Sequence, residues 1–304
     1  MRIGLDLTST AARHLSGTSL YALALAEALP REAPEHEYVA CLRLSALGRR
    51  SLLPDLSAGP LRVRYYWDRF DPALARGLDL FHGLDSRAGR FGKVRQVVTL
   101  HDVVSLWRDD FATAAGRERR RRVYEQVRRR ADAILTPSQA EKEKIVEHLG
   151  VEPGRVHVVP LAPAPGFTPL REPRPEVLAR HGVEGPYLLF VGVIQKRKNA
   201  LRLIEAHARL KTDARLVLAG SVQPSFEPEL RAALARAPGV KLLGYVPNSD
   251  LPSLYAGARA FAVPSEYESF GIPLLEAMSC GCPVAAARAG AMPEVCGGAA
   301  ELFD

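Results

Sequence analysis

Cysteine is scarce in this 304-residue chain, with four in all, at Cys41, Cys280, Cys282 and Cys296. So few thiols at this length argue against a disulfide scaffold. The Cys-Gly-Cys pair has neither metal-ligand spacing nor a histidine cluster beside it, so reduced thiols in a cytosolic protein are expected. Long apolar runs are missing as well. The longest, "YLLFVGVI" at residues 187–194, falls far short of the roughly 20 residues of a membrane-spanning helix, which leaves only surface contact with a membrane. "MRIGLDL" enters a strand at once, so no signal peptide is expected. Glycine is thin where a dinucleotide would need it. After the first strand, "TSTAARHLSGTS" offers Gly17 alone, whereas the fingerprint takes three glycines for turn, phosphate approach and helix packing. A Walker-type phosphate loop and a Gly-x-Ser-x-Gly elbow are also absent, so a dehydrogenase, a P-loop NTPase and an α/β-hydrolase lose their supporting motifs.

What is present is the composition of a globular protein. With 47% hydrophobic and 25% charged residues, the chain can bury a sizeable core. Its length favours two domains. A net charge of +7, much of it arginine, permits attraction to phosphates or anionic surfaces. "RIGLDL", "EYVACLRL", "LRVRYYW", "DLFHGL", "QVVTLHD", "AILTPS" and "VHVVPL" read as strands, several followed by amphipathic helices. Proline crowds residues 160–178, which carry no apolar period and read as a linker. The strand pattern then restarts with "YLLFVGVI", "RLVLAG", "VKLLGYV", "ARAFAVPS", "PVAAA" and "AELF". Strands alternating with helices indicate parallel sheets covered on both faces. The expected fold is therefore α/β, with two doubly wound halves at residues 1–170 and 171–304. Ligands of such sheets bind at the carboxyl ends of the strands.

Three constellations follow strands. "TLHDVV" sets His101 and Asp102 at a strand end, and His82-Gly83 ends the strand before it. Alone, such a pair is ordinarily a satisfied histidine and a capping aspartate. Two strand-end histidines point to a cleft. "FVGVIQKRKN" brings Gly192 to a strand end and Arg197 and Lys198 before a helix. That arrangement suits a diphosphate, although a solvated basic loop would look the same. "SEYESFGIPLLEAMSCGCPV" places Glu266, Glu268 and Glu276 around the Phe270-Gly271 turn, with Pro273 at the expected first helical position and Gly281 at the C-terminal cap. A helix-dipole role would explain Glu276 and leave Glu268 unexplained.

Read in order along nearly the whole chain, these stretches resemble the retaining glycosyltransferases of family 4, with the GT-B fold of two Rossmann-like domains facing across a cleft. Glu268 and Glu276 match that family's Glu-x7-Glu pattern. The resemblance implies that Glu276 holds the donor ribose hydroxyls and that Glu268 lies beside the transferred sugar with the backbone amides of Phe270, Gly271 and Ile272. It implies that Arg197 and Lys198 hold the diphosphate, with Gly192 beneath them, and that Tyr245-Val246 receives the base. It gives His101 and Asp102 a catalytic place in an acceptor-binding first domain, and lets Gly17 bring the first helix close to the phosphates.

The implied reaction moves a sugar from a nucleoside diphosphate sugar, GDP-mannose or a UDP-sugar, to a glycan or lipid-linked acceptor. No cofactor or metal is implied, and no nucleic-acid partner. The departing phosphate accepts the acceptor's proton on the same face, with Glu268 as nucleophile the less favoured route. Rival readings are a related-fold epimerase or phosphorylase, or a non-catalytic nucleotide-binding remnant. Two departures stand out. Val193 occupies a position where many relatives carry arginine. The chain also ends at Asp304, where relatives continue through further helices, so the second domain is expected to be truncated. Finally, "GRERRRRVYEQVRRRADAI" at residues 116–134 sets Val123, Val127, Ala131 and Ile134 at helical spacing among arginines. Either a solvated helix face or an anionic membrane contact through residues 117–130 is expected, at the inner face of the membrane.

Overall fold

Each of the runs expected as strands forms one. The computed structural model describes residues 1–12, 16–53, 61–67, 77–111 and 113–304, and the chain divides between Val159 and Pro160 into two units. In the first unit, β1 (Arg2–Asp6), β2 (Glu37–Arg43), β3 (Arg62–Tyr66), β4 (Leu80–Gly83), β5 (Arg95–Thr99), β6 (Ala133–Thr136) and β7 (Val156–Val158) lie in the order β3-β2-β1-β4-β5-β6-β7. In the second, β8 (Tyr187–Val191), β9 (Arg215–Ala219), β10 (Val240–Gly244), β11 (Ala260–Val263), β12 (Val284–Ala287) and β13 (Glu301–Phe303) lie in the order β10-β9-β8-β11-β12-β13. Neighbouring strands run parallel throughout.

Parallel strands need crossovers, and helices supply them. In the first unit these are α1 (Gly17–Glu32), α2 (Ala114–Arg130) and α3 (Gln139–Leu149). In the second they are α4 (Pro175–Arg180), α5 (Ala200–Arg209), α6 (Glu227–Leu234), α7 (Leu251–Gly257), α8 (Ile272–Ser279) and α9 (Met292–Cys296). Adjacent strand residues face opposite layers, as the period of two requires. Leu189 and Val217 join the core that holds Leu254, Tyr255 and Leu274, while Phe190, Leu216 and Leu218 pack with Ile204 and Leu230. The first sheet is covered likewise, by α1 around Leu5, Ala22 and Leu42 and by α2 and α3 around Val98, Val127 and Ile145.

Winding direction reverses between β1 and β4, and again between β8 and β11. At such reversals the loops leaving two neighbouring strands diverge and open a crevice at the carboxyl ends. Residues Gly192–Lys198 leave β8 and residues 264–271 leave β11, so the basic loop and the glutamate loop meet at the second reversal.

The proline-rich stretch belongs to the second unit. Phe167 is buried in that unit's core against Tyr255, edge to face with ring centroids 6.2 Å apart. The arginine-rich segment differs from its expected pattern. Its helix ends at Arg130, with Ala131 as the cap and Ile134 in β6. Asp132 accounts for the break: its carboxylate accepts the Gln96 backbone N–H at 2.6 Å and its own N–H donates to the Gln96 carbonyl at 2.8 Å, which locks the chain into the sheet. Tyr124 and Val127 form the buried face of α2.

Candidate functional site

The second unit's site starts from two glycines. Gly192 leaves β8 at φ +143°, and a Cβ on Gly220 at the end of β9 would stand 1.9 Å from the Gly192 carbonyl oxygen. Side chains are thereby excluded from this corner of the sheet, and Lys198 folds back until its Cε and Nζ reach ordinary contact distance of Gly192, 3.7 Å from where a Cβ would sit. Lys196–Lys198 form a single 3-10 turn, and Asn199 in the left-handed region redirects the chain into α5. Val193 is exposed, so the cations of this loop are Lys196, Arg197 and Lys198.

The loop after β11 is stitched to that turn. Glu266 N–H donates to the Arg197 carbonyl at 2.9 Å, and Arg197 Nη1 donates to the Tyr267 carbonyl. Glu268 then takes both cations: Lys198 Nζ lies 2.7 Å from Oε1 and Arg197 Nη1 lies 3.0 Å from Oε2. Its backbone is held from the other side, where Ala291 N–H donates to the Glu268 carbonyl at 2.9 Å. Gly290 permits this approach, since a Cβ there would meet that carbonyl oxygen at 2.4 Å. Burial alone would raise the pKa of Glu268; the Lys198 and Arg197 charges overcome it and carry it down to about 2. Glu268 is therefore an ionised carboxylate at neutral pH.

Glu276 is its opposite. It lies one turn into α8, nearly buried, and Tyr255 on α7 donates its hydroxyl to Oε2 at 3.1 Å. Burial pushes its pKa up to about 7, against the opposing pull of the Tyr255 hydrogen bond. Among the described residues, no cation neutralises it as Lys198 and Arg197 neutralise Glu268. Gly271 caps α8 at φ +95°, Ile272 takes the first helical position and Pro273 the second, one place later than expected. Among the described residues, the N–H groups of Phe270, Gly271 and Ile272 meet no acceptor, as befits a helix start open to an anion. The Phe270 side chain is buried. Gly281 follows the helix at φ +75°, as expected of the cap region.

Tyr245 and Val246 part company: Tyr245 is 64% exposed, while Val246 packs in the core beside Leu251 and Leu254. A base at this segment would meet the Tyr245 side chain and the backbone of Val246.

Gly17, His101 and Asp102 lie in the first unit. Gly17 opens α1 behind the cap Ser16, whose Oγ accepts the Ser19 N–H at 3.2 Å, and among the described residues nothing stands within 4 Å of where a Gly17 Cβ would sit. His101 Nε2 lies 3.0 Å from the Leu84 carbonyl. A carbonyl only accepts, so Nε2 carries the proton and Nδ1 is the acceptor of the neutral ring. Tyr21 on α1 packs its ring edge to face on His101 at 4.9 Å, and its hydroxyl continues through Thr99 Oγ1 (3.2 Å) to His82 Nε2 (2.9 Å). Burial lowers the His101 pKa and, with the His101 charge, takes His82 to about 4. Both rings are neutral at pH 7. Asp102 is tied through its carbonyl to the Tyr124 hydroxyl at 2.9 Å, and its carboxylate lies 3.8 Å from Arg120.

Tyr255, Gly290 and Tyr21 escaped the sequence reading. Tyr255 stands in "DLPSLYAGA" as one apolar helix residue among several, and only the packing of α7 on α8 turns its hydroxyl towards Glu276. Among the described residues, no three His, Cys, Asp or Glu side chains gather as metal ligands, and no helix is long and apolar enough to cross a membrane.

Two family models match the chain in tandem: Glycosyltransferase Family 4 over residues 15–162 and Glycosyl transferases group 1 over residues 177–300. O-antigen chain mannosyltransferase B of Escherichia coli is 36% identical over 185 residues, covering 57% of this chain and 48% of the relative. A D-inositol 3-phosphate glycosyltransferase of Salinispora tropica is 33% identical over 243 residues, covering 70% and 50%. The chain spans about half the length of the curated relatives it matches. Among solved structures, Anabaena HepE in complex with UDP superposes with a TM-score of 0.73 at 20% identity, covering 99% of this chain and 85% of that one. That likeness establishes the fold, which is GT-B.

Proposed function

The chain belongs to the family 4 glycosyltransferases, and we propose that it moves a sugar from a nucleoside diphosphate sugar to a glycan or lipid-linked acceptor with retention at the anomeric carbon. The observation that carries this reading is the Lys198–Glu268–Arg197 cluster at the reversal between β8 and β11, with Glu276 one turn inside the adjoining helix. The E. coli relative is a mannosyltransferase and HepE binds UDP, which supports GDP-mannose or a UDP-sugar as donor. The second unit holds the donor and the first the acceptor.

The barrier to such a transfer is charge separation between an oxocarbenium-like sugar and a departing diphosphate. Lys198, Arg197 and the N–H groups of Phe270, Gly271 and Ile272 stabilise the leaving group; the two fixed cations do the neutralising that other enzymes give to a metal ion. Glu276 accepts from the ribose hydroxyls. Glu268, with a pKa near 2 and both oxygens held by cations, is a poor nucleophile. That favours the route in which the departing phosphate oxygen takes the acceptor's proton on the same face. His101, a neutral ring with a fixed tautomer, offers Nδ1 as an acceptor to a sugar hydroxyl, with Asp102 beside it.

Incubation of GDP-mannose or UDP-glucose with an acceptor extract should release nucleoside diphosphate in step with an α-linked product, in the presence of EDTA. Release that needs no acceptor, or a requirement for inorganic phosphate, would sink the transferase reading. Lys198→Ala should weaken nucleoside diphosphate binding by about 1.5–3 kcal/mol and leave nucleoside binding unchanged. Equal calorimetric affinities for the diphosphate would reduce the loop to surface.

Peripheral membrane docking at the inner face of a membrane is the second part of the proposal. Arg119–Arg122 form an exposed run on α2, in which Arg122 pairs with Glu118 and Arg120 lies near Asp102, whereas Arg128 and Arg129 are taken up by Glu125. With no large apolar side chain in that run, attraction would be electrostatic. Flotation with phosphatidylglycerol vesicles should show binding that falls with salt and is lost in Arg119→Ala/Arg121→Ala. Unchanged flotation of that variant would return the helix to solvent.

A further inference from the structure

We propose that a cavity of about 500 Å³ in the first unit, walled by Tyr66, Phe81, Arg87, Arg90, Val123 and Gln126, binds the phosphate of an organic phosphate. The volume suits a small molecule. Among the described residues, none of the walls is acidic and neither Arg87 nor Arg90 has a carboxylate partner. This sets them apart from Arg122, Arg128 and Arg129 of α2, which pair with glutamates along the helix. Guanidinium groups bind phosphate through two parallel hydrogen bonds. Cations also crowd here: Arg130, whose Nη1 donates to Gln126 Oε1 at 3.3 Å, has its pKa lowered by burial and then by the charges of Arg90 and Arg129. An anion in the cavity would relieve that crowding.

The loop bearing the two arginines is preset. Buried Gln96 accepts the Gly89 N–H at 2.8 Å and returns a hydrogen bond from Nε2 to the Gly89 carbonyl at 3.3 Å. Little ordering is then left for binding to supply. Aromatic carbon lines the same cavity. Tyr66 and Phe81 stand edge to face at 5.8 Å, and the Tyr66 hydroxyl donates to Asp6 at 3.0 Å, so the rings rather than a hydroxyl meet the ligand. Guanidinium groups and aromatic rings lining one cavity suit both a sugar phosphate and the headgroup region of a phospholipid.

This place is separate from the strand-end residues. Phe81 pairs with Gln96 in the first half of β4 and β5, while His101 follows the end of β5. Successive residues of a strand face opposite ways, and His82, next to Phe81, is engaged by Thr99 on the side of Tyr21 and α1.

Glucose 6-phosphate in solution and phosphatidate in vesicles serve as probes, with the parent protein, Arg87→Ala/Arg90→Ala and Arg87→Lys/Arg90→Lys. The parent should bind at least one probe saturably. The alanine pair should weaken that binding by about tenfold or more, the lysine pair should recover part of it, and nucleoside diphosphate affinity should be the same in all three. Binding of the sugar phosphate alone identifies a soluble ligand. Binding of phosphatidate alone, lost in the alanine pair although the exposed α2 arginines are intact, identifies a headgroup. Failure of the parent to bind either probe, equal binding by the alanine pair, or displacement of the probe by nucleoside diphosphate would overturn the site.

Discussion

Glu268→Gln should lower the stability of the second unit by about 3 kcal/mol or more, because it strips the charge from a nearly buried carboxylate held by two cations. Glutamine keeps the shape and one acceptor oxygen but leaves Lys198 and Arg197 facing each other without a counter-charge. Turnover should fall with stability, since the cations that meet the leaving diphosphate lose their fixed positions. A nucleoside diphosphate brings the missing negative charge, so saturating ligand should raise the variant's melting temperature more than the parent's. The acid limb gives a second check. Glu268 has a folded pKa of about 2 against an ordinary 4.5, so its stabilisation is fully present above pH 4.5 and is lost as pH falls towards 2. The variant should lack that part of the acid destabilisation. An unchanged melting temperature together with unchanged turnover would remove Glu268 from the centre of the site.

The strands were legible because their signal is local. "YLLFVGVI" and "RLVLAG" need no knowledge of their neighbours to be read as buried strands, and their order along the chain already implies two parallel sheets. Motif spacing placed Arg197, Lys198, Glu268 and Glu276 at strand ends and a helix start, and the structure brings the first three into direct contact. What spacing could not convey is which partner each group chooses in space. The Glu268–Lys198 contact spans 70 residues, and Tyr255 reaches Glu276 only because α7 lies on α8. The same limit explains Ile134. Its spacing from Val127 and Ala131 continues a helical stripe, yet the Asp132–Gln96 hydrogen bonds, made across the sheet, end the helix before it. Val246 shows the limit from another side: its neighbourhood suggested the base, and its side chain packs in the core, which leaves its backbone to face a ligand.

Nucleoside diphosphate affinity should rise by about tenfold between pH 6 and pH 8 through Glu276 alone. With a pKa of about 7 in the empty site, the group is mostly a neutral acid at pH 6 and mostly a carboxylate at pH 8. Ribose hydroxyls donate their hydrogen bonds best to the carboxylate, so the ligand binds the ionised form and competes with the proton. Stability of the empty protein should run the other way. The folded pKa lies above the ordinary 4.5, so the folded state binds more protons than the unfolded one between these values. Stability is therefore lost as pH rises from 4.5 through 7, by about 3 kcal/mol in all. The terminal phosphate of the ligand titrates near pH 6 as well, and a 2′,3′-dideoxynucleoside diphosphate controls for it because it keeps the phosphate and lacks the hydroxyls. Calorimetry of both ligands across pH 6–8 should show the larger rise for the ribose form. Glu276→Gln should bind the ribose form more weakly at pH 8 by about 1–3 kcal/mol and should bring the two profiles together. Parallel profiles in the parent would mean that Glu276 does not meet the ribose.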